Sequence, residues 1–200
     1  MRNLALSAIM ICFLNGSSIA QSTFSLRPQP LPGCRLFLAS EFGFAYRANS
    51  FAENTFNLRR RHYFTSDLGL MVNLNSRYAL GASHFIGMDN GAENRGGLKF
   101  TIRRWFNEKS SVDLSPGFLL WDTRAATKRF AFVSSLDVNI TDWFAMTAQL
   151  EFVPTRFQGG TDRASYVGLK TGSHPGLILN GVATTAAVIV GISVLSSGTD

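Results

Sequence analysis

Between residues 130 and 152 the chain alternates with a period of two. Phe130, Phe132, Ser134, Leu136, Val138 and Ile140 share one parity, and Ala131, Val133, Ser135, Asp137 and Asn139 the other. After Thr141-Asp142 the alternation resumes, with Phe144, Met146, Ala148, Leu150 and Phe152 set against Ala145, Thr147, Gln149 and Glu151. Successive strand side chains point to opposite faces. The stretch therefore predicts a hairpin with one oily face and one face carrying carboxylates and amides. Each arm runs about 10 residues, longer than the 5–6 usual in soluble strands and long enough to cross a bilayer at a tilt.

The same pattern recurs across residues 33–171 and predicts six further strands. Residues 35–47 set Leu36, Leu38, Phe42, Phe44 and Tyr46 against Phe37, Ala39, Glu41, Gly43 and Ala45. Residues 63–74 set Phe64, Leu68, Leu70, Val72 and Leu74 against Thr65, Asp67, Met71 and Asn73. Alternation is weaker over 78–86, clear over 98–103 and 112–120, and faint over 165–171. Pro116 interrupts the fifth strand, where a proline marks an edge or a bulge. The total is eight strands, an all-β chain.

Connections add a second signal. Asn75-Ser76, residues 107–110 and Thr141-Asp142 are tight turns, whereas 48–62, 87–96, 122–128 and 154–163 are longer. A membrane barrel alternates short turns on one side with long loops on the other. A soluble barrel or sandwich has no reason to do so. Trp105, Trp121 and Trp143 lie near strand ends, where a spanning barrel places its aromatic belts, but their parity predicts inward, plugging side chains.

The ends differ from the middle. Arg2, the apolar run 4–14 and Ser18-Ile19-Ala20 read as a secretory signal over residues 1–20. Residues 21–32 hold three prolines and no periodicity, an extended lead-in. Past 172 comes the uncharged segment 177–196, about 30 Å long as a helix and sufficient to span a bilayer. It predicts a helix beside or below the barrel, the alternative being an ordinary inner-membrane tail anchor. The organisation expected is thus signal 1–20, lead-in 21–32, barrel 33–171 and hydrophobic tail 172–200.

This pattern resembles the small eight-stranded bacterial outer-membrane barrels, over residues 33–171. The resemblance implies an antiparallel up-and-down transmembrane barrel in the outer membrane. Such barrels commonly finish on a strand ending in an aromatic residue, and this chain departs by continuing to Asp200.

Composition changes the picture little. Without residues 1–20 the chain loses Arg2 and no acid, leaving 18 bases against 13 acids. That is mildly basic and, lacking an aromatic-basic motif, excludes a nucleic-acid footprint. Cys34 is then the lone cysteine, so strand pairing and burial must hold the fold without an intrachain disulfide.

Candidate chemistry lies mainly at the inward positions, which collect Arg35, Glu41, Asp67, Lys99, Arg103, Asp113, Asp137, Glu151 and Lys170. Five acids against four bases predict an interior ion-pair network, because buried charges must find partners and eight strands leave just enough room for side chains. No cofactor is expected: His62, His84 and His174 lack metal spacing, and no nucleophile elbow, phosphate loop or dinucleotide fingerprint is present. Small barrels that act on membrane lipid with a His and a Ser are a rival class. His62 with Ser66, or Ser83-His84, would have to serve, and no acid is placed to orient either histidine. A soluble barrel binding an apolar ligand is the other rival, and needs the bulky face turned inward. Arg59, Arg60 and Arg61 end the first long loop. Their forked guanidiniums suit lipopolysaccharide phosphates, in loops that together carry eight bases, Arg95 among them, against five acids.

Overall fold

The computed structural model describes residues 22–48, 62–89, 94–122, 131–154 and 161–182. Nine strands form: β1 (Ser22–Ser25), β2 (Cys34–Arg47), β3 (His62–Asn73), β4 (Tyr78–Asp89), β5 (Asn94–Trp105), β6 (Ser111–Asp122), β7 (Ala131–Asn139), β8 (Phe144–Pro154) and β9 (Thr161–Thr171). Strands β2 to β9 pair each with the next, all antiparallel, and β2 closes on β9. The result is an eight-stranded up-and-down barrel.

Alternation sets the two faces. On β8 Ala145, Thr147, Gln149, Glu151 and Val153 are buried, while Met146, Leu150 and Phe152 are exposed. The other barrel strands repeat the alternation, with bulky apolar side chains outside and small, polar, charged and some aromatic side chains inside. Observed strands run longer than the pattern suggests. β5 begins at Asn94 and β9 at Thr161, so the connections 87–96 and 154–163 are partly ladder.

Two irregularities follow from particular residues. The β5–β6 register shifts at Gly96/Gly97, with Gly96 opposite Trp121 but Gly97 opposite Leu119. Leu120 is the extra residue of a bulge, which turns the chain beyond it to the other parity. Farther along, the β5–β6 register passes from Lys99–Gly117 to Ile102–Leu114, leaving Pro116 paired only on its β7 side, with Ser134. A proline cannot donate to a ladder.

The closing seam is short. Only Phe42 to Arg47 of β2 pair with β9, leaving the first half of β2 with a free edge. Two flanking segments cover it. The expected extended lead-in supplies β1, which runs parallel to β2 with Ser22 opposite Cys34 and Phe24 opposite Leu36. A helix at 173–182, here α1, covers the next stretch. Ser173, Gly176 and Asn180 of α1 are buried, whereas Ile178, Leu179 and Val182 are exposed. Asn180 Nδ2 donates to Ser40 Oγ (2.9 Å) and to the carbonyls of Glu41 (3.2 Å) and Asp67 (3.3 Å). Ser40, outward by parity, is consequently buried. A Cβ at Gly176 would collide with the carbonyls of Ser40 and Thr171, so glycine permits this close approach. The helix packs beside the barrel as the tail predicts, but starts before 177. Residues 183–200 lie outside the described part, as does the segment 1–20 expected to be a signal. No helix among the described residues is long and apolar enough to cross a membrane, which says nothing of the strands.

Candidate functional site

The interior is built in three layers, each from residues of one parity. At the turn end, Cys34, Phe37, Met71, Ala79 and Trp105 form an apolar cluster. Trp105 meets Phe37 edge-on at 5.9 Å and donates from Nε1 to Asn73 Oδ1 at 2.9 Å. Asn73 in turn donates to the carbonyls of Gln29 and Cys34, pinning the lead-in to the barrel mouth.

The middle layer holds the charges. Lys170 Nζ lies 2.9 Å from Asp137, 3.2 Å from Glu41 and 3.4 Å from Asp67. Lys99 Nζ is 3.0 Å from the other Asp67 oxygen. Arg103 grips Asp113 through Nε (2.7 Å) and a second nitrogen, and reaches Glu41 at 3.4 Å. This forked geometry is what a guanidinium offers a carboxylate. At the centre is a cavity of about 20 Å³, edged by Glu41, Asp67, Lys99, Asp113, Asp137 and Lys170. It has room for roughly one water.

The loop-side layer centres on Arg95, which is fully buried. Its Nε lies 3.0 Å from Glu151 Oε1 and 3.2 Å from the Tyr63 hydroxyl, and a terminal nitrogen donates to Tyr166 at 3.0 Å. The guanidinium also stacks 4.1 Å from the Tyr63 ring centre. Tyr63 donates to Glu151 at 2.9 Å. Gln149 joins the layers, donating to Glu151 and Tyr63 and accepting from Lys99. A Cβ at Gly87 would collide with the Tyr63 hydroxyl, so glycine there makes room for the tyrosine. Ala45, Phe85, Val133, Val153 and Ala164 fill the remaining space.

Eight of the nine interior charges expected from sequence are thus in the network, and one is not. Arg35 is exposed. Cys34 and Phe37 are both buried with Arg35 and Leu36 between them, so strict alternation fails at the start of β2, where β1 pairs alongside. Arg95 takes the place in the count that Arg35 leaves. The alternation that defines this strand in the sequence begins at Leu98, which leaves Arg95 in the connection 87–96. Its parity, four and eight residues before Lys99 and Arg103, was the signal that it points inward.

The three tryptophans divide. Trp105 plugs the turn end as its parity predicts. Trp121 and Trp143 do not: both are exposed. The bulge at Leu120 turns Trp121 outward over Gly96, where a Cβ would meet its ring at 2.6 Å. Trp143 sits in the β7–β8 turn before alternation begins.

Outside, bulky apolar side chains cover all eight barrel strands, among them Phe44, Leu70, Leu80, Phe100, Leu114, Leu136, Leu150 and Leu169. His62 stacks on Phe44 and meets Tyr46 edge-on. His84 is exposed and Ser83 buried on the opposite face. Neither histidine has a carboxylate partner among the described residues, and no group of residues there could hold a metal ion. Arg59, Arg60 and Arg61 lie outside the described residues.

No protein-family model and no curated protein matches the chain. Among solved structures it is similar to a chain described as "De novo design of transmembrane beta-barrels", at 11% identity, over 68% of this chain and 93% of that one, with a TM-score of 0.37. Likeness at that level carries no weight for function, and the barrel stands on its own strand register.

Proposed function

We propose that the chain is an integral β-barrel protein of the bacterial outer membrane, with a structural or surface-interaction role, a closed interior and no catalysis. The observation that carries this reading is the inverted distribution of side chains. Paired charges occupy the middle of the interior, and bulky apolar side chains face out on every barrel strand, with Ser66, His84 and Ser134 among the polar interruptions. The largest apolar patch on a soluble monomer is usually about 300–600 Å², and a band around an eight-stranded barrel far exceeds it. Lipid is the surrounding that satisfies such a band, and a closed barrel leaves no lipid-facing strand edge. The face orientation argues against a soluble barrel with an apolar ligand inside. Against a lipid-modifying enzyme stand the two described strand histidines, which lack an orienting acid.

Lipopolysaccharide is the partner we assign to the loop side, through the phosphate-binding chemistry of Arg59, Arg60 and Arg61. The loops are less basic than the sequence pattern suggests, because Arg95 is inside the barrel. Membrane fractionation combined with gel mobility before and after heating tests the main reading. The protein should sediment with membranes and run as a compact, detergent-resistant band until heated. Recovery from the soluble periplasmic fraction would overturn it.

A further inference from the structure

Besides Lys109, the turn end of the barrel carries three exposed arginines that neither the interior nor the apolar band uses. Arg35 opens β2, Arg77 lies in the β3–β4 turn and Arg104 is near the end of β5, and all three are exposed. They follow one arc of the rim. Arg104 stands opposite Tyr78 in the β4–β5 ladder, and the Arg77 carbonyl accepts from the Trp105 amide at 2.7 Å. Arg35 lies one strand over from the same turn.

None of the three makes an ion pair among the described residues. The nearby carboxylates do not neutralise the arc. Asp142 is held by Arg27 at 2.6 Å, and Glu108 lies beyond β5, in the next turn.

Position matters as much as charge. Arg104 has the outward parity of Leu98, Phe100 and Ile102, all exposed. It stands two residues past Ile102, about 7 Å farther along the strand at the usual strand rise. Its guanidinium lies 5.7 Å from the Phe106 ring centre. Leu74, Tyr78, Phe106 and Trp143 are exposed around the same end, the composition of an interfacial belt. Arginine stems can lie along that belt while their heads reach the level of lipid phosphates.

We propose that Arg35, Arg77 and Arg104 bind the phosphate groups of anionic phospholipids in the leaflet on the turn side. The arc then fixes the depth at which the barrel sits. This rests on the membrane-spanning reading above, and concerns the opposite leaflet from Arg59–Arg61. Guanidinium forks match phosphate oxygens, and three cations without an ion-pair partner among the described residues leave their N–H donors for lipid.

The test reconstitutes the full-length protein in phosphatidylcholine vesicles with and without phosphatidylglycerol. Lipid kept on the folded barrel is then counted by native mass spectrometry, and insertion is read in the same samples by heat-dependent gel mobility. The wild type should retain phosphatidylglycerol in preference to phosphatidylcholine. The variant R35Q/R77Q/R104Q should insert normally and lose that preference by roughly tenfold or more, given the attraction of each basic residue to an anionic surface. R163Q, at the opposite end of the barrel, should keep it. Equal retention by wild type and triple variant, or no preference in the wild type, overturns the inference while leaving the barrel reading intact. Failure to insert into either vesicle overturns the membrane reading, and this inference with it.

Discussion

Lys170 shows how a single residue holds the middle of the barrel together. Its ammonium is the common neighbour of Glu41, Asp67 and Asp137, within 3.4 Å of each. Without it the four carboxylates of that layer would share only Lys99 and Arg103. Removing one partner of a buried ion pair typically costs about 3–5 kcal/mol, because the remaining charge is left uncompensated. Lys170→Met should therefore lower the unfolding midpoint of the folded barrel in denaturant by an amount of that order. Asp137→Asn in the same background should recover part of the loss, since it removes one of the stranded charges. A Lys170→Met protein unfolding at the wild-type midpoint would show the three contacts to be energetically idle. Much of this layer was legible from sequence, since parity alone brings seven charges from six strands to one interior. What parity could not give was its own failure at Arg35. There two residues instead of one separate the inward Cys34 and Phe37, a local backbone event with no signature in residue type. Arg95 failed for the opposite reason: its parity is correct, but it lies before Leu98, where the alternation begins.

At the scale of elements, strand existence was readable and strand ends were not. Eight alternating segments gave eight barrel strands, but β1 was hidden in a Pro-rich segment with no period of its own. Its place depends on the unpaired edge that the short seam leaves on β2, a consequence of barrel geometry. The same edge explains α1. A helix whose small and polar residues face the protein while Ile178, Leu179 and Val182 face away is inverted relative to a helix on a soluble protein. It fits an apolar surround. Asn180 is the polar anchor of that packing, donating to Ser40 and to two strand carbonyls. A net hydrogen bond contributes about 0.5–1.5 kcal/mol, and a short helix has little stability of its own. Asn180→Ala should thus detach α1 without unfolding the barrel. The measurement is thiol labelling of Ser40→Cys in lipid vesicles, slow beneath a docked helix and faster by severalfold when Asn180 is Ala. Equal labelling rates in the two backgrounds would mean that α1 docks through contacts other than Asn180.

At the scale of the whole molecule, the three interior layers form a stopper rather than a channel. Phe37, Met71 and Trp105 close the turn end, and Tyr63, Phe85 and Tyr166 lie toward the loops, around Arg95 and Glu151. Between them the ion-paired layer leaves a cavity for about one water, which is no path for an ion. An eight-stranded barrel has an interior that side chains just fill, and here the charges bind one another instead of lining a lumen. To pass, an ion would have to displace the apolar plug at the turn end and the paired groups of the two layers above it. Purified protein in planar bilayers should therefore show no steady porin-like conductance. Trp105→Ala with Phe37→Ala should leave it non-conducting, because the paired layer above remains closed. Steady single-channel current from the wild type would mean that the stopper opens in the membrane, or that several chains assemble a pore between them.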